Sequence, residues 1–295
     1  MPILFLKCMN QIDRILSKVG DLNFKRRVLK ILEYLDIRKE DKVLDAGCGE
    51  GFYLMLIKNI YHCDITGIDN DDRILSQAKK WIKDSEGIKI VKGDIDEMEF
   101  PDNTFDKVVC SEVLEHINND RKAVDELYRV TKPGGILAVT VPNSNYPLCW
   151  DPLNKVREKL NLGHFNPLSE VWGGIWAYDH KRLYSVDDIV GLLTTAGFKV
   201  DKVQVLTHYG FPFNHLLLVL GKHFYTKLNV SEEIKNSMEK FKWNEESEKK
   251  NTSLLYNLIQ LMFNILKKID SKNDREFDLN VSTMAVSIKA VKPKL

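Results

Sequence analysis

The chain has 295 residues, 44% of them hydrophobic, with 43 basic against 42 acidic side chains and a formal net charge of +1. That length and apolar content exclude a disordered chain, and near-neutrality excludes a global field that would hold nucleic acid, leaving only local basic patches. Five cysteines, Cys8, Cys48, Cys63, Cys110 and Cys149, are odd in number and include no C-x-x-C pair, which fits reduced thiols in a cytosol better than a disulfide framework.

The N-terminal stretch MPILFLKCMNQIDRILSKV starts apolar, but Lys7, Asn10 and Gln11 interrupt it before the core of a signal peptide forms. Ile12, Ile15, Leu16 and Val19 fall at helical spacing. No apolar run approaches the roughly 18 residues a spanning helix needs, so a cytoplasmic location is expected, with peripheral membrane contact left open.

From Asp41 strands and helices alternate. KVLDAG reads as a strand, FYLMLIKNIY as a helix, DITGID as a strand and RILSQAKKWIKD as a helix. IKIVKGD follows, then an acidic loop with Pro101, the strand FDKVVCS, a helix through KAVDELYRV and the strand GGILAVTVPN. SVDDIVGLLTTAG predicts a helix capped by Ser185 and closed by Gly197, and FKVDKVQVL a sixth strand. VSTMAVSIKAV, residues 281–291, is β-rich and follows a long helical stretch, Tyr209 to about Phe277. In that stretch Leu254, Leu255, Leu258, Leu261, Met262, Ile265, Leu266 and Ile269 form a wide apolar face, expected to pack on the core. The expected organisation is one domain, 1–295: helices in 1–40, a core at 41–208, a helical insertion at 209–277 and a final strand at 278–295.

In VLDAGCGEGFYLMLI the strand runs into Gly47, Gly49 and Gly51 before the helix, a turn that brings backbone close to a ligand. A G-x-G-x-G turn alone serves dinucleotide enzymes and methyltransferases alike. Asp69, ending the second strand, can accept hydrogen bonds from both hydroxyls of a ribose. The turn AGCGEG lacks the G-x-G-x-x-G spacing, and Asp45 before it would face a diphosphate with negative charge, so a cationic, phosphate-free ligand fits better.

On VLDAGCGEG, GIDND, VKGDIDEMEFPDNTFDKVVCSEVLEHI and TKPGGILAVTVPN, in that order, the segment from Asp41 to Val205 resembles the class I S-adenosylmethionine-dependent methyltransferases. The resemblance implies an α/β, Rossmann-like doubly wound sheet of seven strands, the last antiparallel between the fifth and sixth. It implies S-adenosylmethionine as cofactor. Gly47, Gly49 and Gly51 would pack against its methionine and ribose parts, Asp45 would order the turn, Asp69 would bind the ribose, and its neighbour Asn70 is a further cofactor-binding residue. Asp94 and the backbone of Ile95 would read the adenine, and Ser111 would border the cofactor.

Methyl transfer from a sulfonium mostly needs alignment, but a hydroxyl acceptor must also lose a proton to a base or bind a metal. In SEVLEHI, Glu112, Glu115 and His116 would share one face if they sat on the first turn of a helix. The E-x-x-E-H pattern is similar to that of quinone-biosynthetic O-methyltransferases, a family that implies a further histidine downstream, for which His180 stands in a comparable position. A divalent cation such as magnesium is the less favoured reading of this cluster, and His116 as a pocket residue or base the favoured one. His164 reads as a loop residue facing solvent. Trp172, Trp176 and Tyr178 form either an acceptor wall or core packing, and Pro142, Asn143 and Ser144 fall on the acceptor side.

The expected function is methyl transfer to a small-molecule acceptor at a hydroxyl oxygen, with a hydrophobic, sugar-bearing or lipid-linked acceptor preferred. The alternatives are a 2′-O-methyltransferase of an RNA terminus, which the neutral charge disfavours, a catalytically silent methyltransferase-like module, and an NAD-dependent oxidoreductase. Oligomeric state is not readable.

Overall fold

A computed structural model describes residues 12, 16, 21–82, 87–165, 174–176, 180–210, 261, 265 and 268–294. The chain folds into two compact units. One comprises Arg27–Ser144, Lys181–Gln204 and Ala285–Leu295, the other Met1–Arg26, Asn145–His180 and Val205–Met284.

The first unit is built on a seven-stranded sheet: β1 (Lys42–Ala46), β2 (Asp64–Asp69), β3 (Ile88–Lys92), β4 (Phe105–Ser111), β5 (Thr131–Pro142), β6 (Lys199–Leu206) and β7 (Ala285–Val291). Their order is β3-β2-β1-β4-β5-β7-β6. β1 pairs in parallel with β2 from Lys42↔Asp64 to Ala46↔Ile68, and in parallel with β4 on its other side. β7 runs antiparallel to β5, from Ile136↔Val291 to Pro142↔Ala285. The chain order reverses between β1 and β4, so a crevice opens at the carboxyl ends of these two strands, where ligands bind in open α/β sheets.

The helices are α1 (Leu22–Leu35), α2 (Phe52–Tyr61), α3 (Asp72–Ile82), α4 (Asp120–Val130), α5 (Pro152–Lys159) and α6 (Val186–Thr195). The strands between them are apolar on both faces, as helices on either side require: Val43, Leu44 and Ala46 in β1, and Val108, Val109 and Cys110 in β4, are all buried. α2 buries Phe52, Tyr53, Leu54, Leu56, Ile57 and Ile60. Ile12 and Leu16, at the N-terminal helical spacing, are buried as well.

Two boundaries differ from the sequence expectation. The last strand starts at Ala285, because Thr283 and Met284 give their amides to Asn145 and to Leu206 and Thr207 rather than to a ladder with β5. Of the apolar face expected to pack on the core, Leu261 and Ile265 lie exposed and Ile269 is half-buried; Leu254, Leu255, Leu258, Met262 and Leu266 lie outside the described residues.

α6 starts at the expected cap. Ser185 Oγ accepts from the Asp188 amide at 3.1 Å while Asp188 Oδ2 accepts from the Ser185 amide at 3.1 Å, a reciprocal capping box. Ser185→Ala is expected to cost about 1 kcal/mol, read as a lower midpoint in chemical denaturation with an unchanged slope.

Candidate active site

The turn after β1 is set by its own amides. Gly47 and Cys48 donate to the Ile68 carbonyl at 2.8 and 3.0 Å, Gly49 donates to Asp69 Oδ2 at 2.9 Å, and Gly51 donates to the Cys48 carbonyl at 2.9 Å. All three glycines have positive φ. At Gly47 a Cβ would stand 2.5 Å from Val113 Cγ2, so glycine lets the segment after β4 close against the turn. At Gly49 a Cβ would meet nothing within 4 Å, so this side of the turn faces open space.

Four turn amides are thus spent inside the protein. The carboxylates bear on the charge of the ligand. Asp45 is 2% exposed, its Oδ2 meets no hydrogen-bond partner among the described residues, and burial, followed by the charge of Asp69, pushes its carboxyl up to about 8. Asp69 accepts from Gly49 and, at 3.0 Å, from the Asp71 amide, which leaves two of a carboxylate's roughly four lone-pair sites for a ligand. The cap of α3 falls to Asp71, whose Oδ1 accepts from the Arg73 and Ile74 amides, so Asp69 is not used up as a helix cap.

Asn70 Nδ2 donates to Asp94 Oδ1 at 2.7 Å, tying the ends of β2 and β3 together. Asp94 is exposed and Ile95 buried, so a ligand at this edge would meet one side chain and a stretch of backbone. The Ser111 hydroxyl lies 2.9 Å from Thr140 Oγ1 and accepts from Tyr53 at 3.3 Å. It lines the crevice with its polar group already engaged.

The segment after β4 corrects one expectation. Glu112, Glu115 and His116 do not share the first turn of an α-helix. Glu112 takes a positive φ of 57° and gives its amide to the Thr140 carbonyl, continuing the β5 pairing for one residue. Only a 3₁₀ turn at Leu114–His116 follows, and α4 begins at Asp120, capped by Asn119. Glu115 is fully buried, and burial, then the charge of Glu112, holds its carboxyl well above the ordinary range. His116 is half-exposed, with Nε2 3.9 Å from Glu115 Oε1. His180 belongs to the other unit, where its Nδ1 sits 2.5 Å from the Ile175 carbonyl.

Sequence reasoning missed Arg27. Its Nη1 donates to Glu112 Oε2 at 2.8 Å from α1, 85 positions earlier in the chain, while Glu112 Oε1 is buried with no hydrogen-bond partner among the described residues. It also missed Tyr53 and Thr140. Tyr53 lies in the first turn of α2, directly after the glycines, and is the one that signal could have found.

In the second unit, whose middle segment starts at Asn145, His164 does not point freely into solvent. Its ring stacks on Trp176 with centroids 3.6 Å apart, and both rings contact Glu158. Trp172 and Tyr178 lie outside the described residues. Asn143 itself is buried in the sheet unit and bridges to Tyr184. Cys48, Cys63 and Cys110 are buried free thiols and Cys149 a half-buried one; burial raises all four, Cys63 to about 11.

A family model described as "Methyltransferase domain" matches residues 44–139, the span from β1 into β5 that carries the turn, Asp69, Asp94 and the Glu112–His116 segment. Residues 44–139 thus carry a methyltransferase domain of the class I S-adenosylmethionine-dependent type. Among curated relatives, the chain is 32% identical over 170 residues to the sterol 24-C-methyltransferase of Kluyveromyces lactis, covering 56% of the chain and 42% of that protein. It is 39% identical over 106 residues to the sterol 24-C-methyltransferase ERG6 of Saccharomyces cerevisiae, covering 35% and 28%. The chain thus spans less than half the length of these sterol enzymes.

Solved structures share the fold at low identity. The [4+2]-cyclase SpnF superposes with a TM-score of 0.56 at 16% identity, over 91% of this chain and 81% of the cyclase. Phosphoethanolamine N-methyltransferase 2 of Haemonchus contortus, in complex with S-adenosyl-L-methionine, gives 0.53 at 16% identity, over 91% and 52%. Among the described residues no helix is long and apolar enough to cross a membrane.

Proposed function

We propose that this protein transfers a methyl group from S-adenosylmethionine to a hydroxyl oxygen of a small apolar molecule. The observation that carries the cofactor half is the pair of carboxylates at the glycine turn. Asp45, buried with one oxygen unpaired, suits a cationic ligand, and Asp69 keeps acceptor capacity for ribose hydroxyls. Gly47, Gly49 and Gly51 line the methionine and ribose side, Asn70, Asp94 and Ile95 the adenine side, and Ser111 the floor. The whole chain acts as one methyltransferase domain, with residues 209–277 inserted before the final strand.

When bound, S-adenosylmethionine would supply a sulfonium methyl group with a neutral thioether as leaving group, and a hydroxyl acceptor would have to give its proton to a base. His116 is the assigned base. Glu115 lies beside it, its carboxyl held well above the ordinary range by burial and then by the charge of Glu112, and Glu112 is held by Arg27. The apolar character of the acceptor is supported by the names of the sterol-methylating relatives, which also favour a second reading in which the accepting atom is carbon.

Calorimetric titration with S-adenosylhomocysteine, with and without magnesium after chelator treatment and with NAD as control, tests the cofactor. Label transfer from S-adenosylmethionine to a panel of sterols and of hydroxylated apolar lipids, with the methylated atom located by NMR, separates oxygen from carbon. Binding without transfer to either panel would favour the silent module. His116→Ala is expected to leave cofactor affinity unchanged and to lower turnover about a hundredfold or more; an unchanged rate would remove His116 from the chemistry.

A further inference from the structure

Nine large apolar side chains are exposed among the described residues, and all nine belong to the second unit; six of them, Leu148, Leu153, Val156, Leu160, Leu162 and Phe165, fall within one stretch of eighteen positions. Single exposed leucines are ordinary, but a contiguous set marks a contact surface. Leu153, Val156 and Leu160 recur at i, i+3 and i+7, on one face of α5 and its C-terminal cap. Leu162 and Phe165 follow in the next turn.

These side chains are held outward by a built loop. Arg157 donates to the Leu162 and Gly163 carbonyls at 2.7 and 3.1 Å, and the Leu162 amide returns to the Arg157 carbonyl at 3.0 Å. Asn154, itself 3% exposed, accepts from the Phe165 amide at 2.7 Å, donates to the Phe165 carbonyl at 3.0 Å, and is fixed by buried Asp151. Apolar side chains on so well-bonded a turn are presented to something.

The charges beside them say to what. The stretch has two acids, and both are engaged: Asp151 is buried as the N-cap of α5, and half-exposed Glu158 is bonded to Tyr146, Trp176, His164 and Lys155. Burial opposes ionisation of Glu158, but the Tyr146 hydrogen bond and the Lys155 charge outweigh it and hold its carboxyl below the ordinary range, so its charge is balanced within the fold. Arg157 and exposed Lys159 flank half-exposed Glu158, whose charge is met by Lys155, so a net positive charge stands beside the leucines. The apolar surface continues past the start of α5, where Pro147, Leu148, Cys149 and Pro152 line an open cavity of about 540 Å³.

We propose that the face of α5 and the turn after it, Leu153, Val156, Leu160, Leu162 and Phe165 with Arg157 and Lys159, docks this protein on the surface of an anionic lipid bilayer. Short apolar side chains enter the boundary between headgroups and acyl chains while the cations meet anionic headgroups, and two weak signals together give reversible attachment. The surface requires no methyl transfer, so its failure and the failure of the enzymatic reading are separately visible.

The test is sedimentation of the full chain with phosphatidylcholine vesicles, with and without phosphatidylglycerol. Partitioning onto the anionic vesicles is expected, weakening with salt, and Leu160→Glu combined with Leu162→Glu should reduce it about tenfold or more. Lys159→Glu should weaken binding to anionic vesicles and leave the neutral ones unaffected. Both variants change exposed side chains, and an unchanged melting curve confirms that they fold. Absence of partitioning, or partitioning indifferent to the double substitution, overturns the proposal. So does a concentration-dependent dimer that the double substitution breaks with no vesicle binding, which would make a second copy of this chain the occupant.

Discussion

Asp69→Ala is expected to abolish S-adenosylhomocysteine binding, a loss of at least about a hundredfold in affinity. Two hydrogen bonds from ribose hydroxyls to a carboxylate contribute about 1.5–3 kcal/mol each, and removal of both falls between roughly a hundredfold and ten-thousandfold. A second effect acts in the same direction: Asp69 also accepts from the amides of Gly49 and Asp71, so its loss leaves the glycine turn less well held. Asp69→Asn separates the two. It keeps one acceptor oxygen and the side chain's volume, and intermediate affinity with wild-type melting would place the loss in ligand contact. Wild-type affinity in Asp69→Ala, measured by the same titration, would mean that the ribose is bound elsewhere and that the turn was misassigned.

How much of this could be read from residues depends on the range of the interaction. The alternation of apolar strands with amphipathic helices is local, so FYLMLIKNIY is α2 from Phe52 to Tyr61 and DITGID is β2 from Asp64 to Asp69. Capping is local too, and Ser185 was legible with its helix. The antiparallel placement of β7 beside β5 came from family resemblance, because nothing in VSTMAVSIKAV names its partner strand. The segment after β4 was misread for a physical reason. Spacing of i, i+3 and i+4 has meaning only on a helix, and the Glu112 amide instead follows the Thr140 carbonyl, a contact that depends on a strand 28 positions away. Arg27 carries no local signal at all. It becomes a site residue only because α1 brings it to Glu112.

The fold comparisons set a limit that the site has to overcome. One neighbour of equal likeness is named for a [4+2] cyclisation and another for methylation of phosphoethanolamine nitrogen, so the shared sheet does not select the reaction. Selection rests on side chains at the ends of β1, β2 and β4. Among these, Asp45 is buried with an unpaired carboxyl oxygen, and a cationic ligand would stabilise its ionised form.

Asp45→Asn tests that stabilisation through pH. In the unliganded protein burial and Asp69 hold the Asp45 carboxyl at about 8, far above the value near 3.8 it starts from, so the folded state keeps a proton that the unfolded chain gives up. The sign follows from proton counting: this group's contribution to stability is fully present below the unfolded value and declines as pH rises toward about 8, at up to about 1.4 kcal/mol per pH unit. Above that point Asp45 is a buried anion, and Asp45→Asn should then melt higher than wild type. A cationic ligand reverses the preference by stabilising the anion. S-adenosylmethionine binding to wild type should therefore release a proton at neutral pH, and its affinity should rise with a slope approaching tenfold per pH unit before levelling near pH 8. Titrations between about pH 6 and pH 9, repeated in buffers of different ionisation heat, count that proton directly. Asp45→Asn should bind more weakly above the inflection and lose the pH dependence. A flat wild-type profile with no proton released would show that the ligand's positive charge is not felt at Asp45, and the electrostatic case for S-adenosylmethionine at this turn would fall while the ribose contact of Asp69 could still stand.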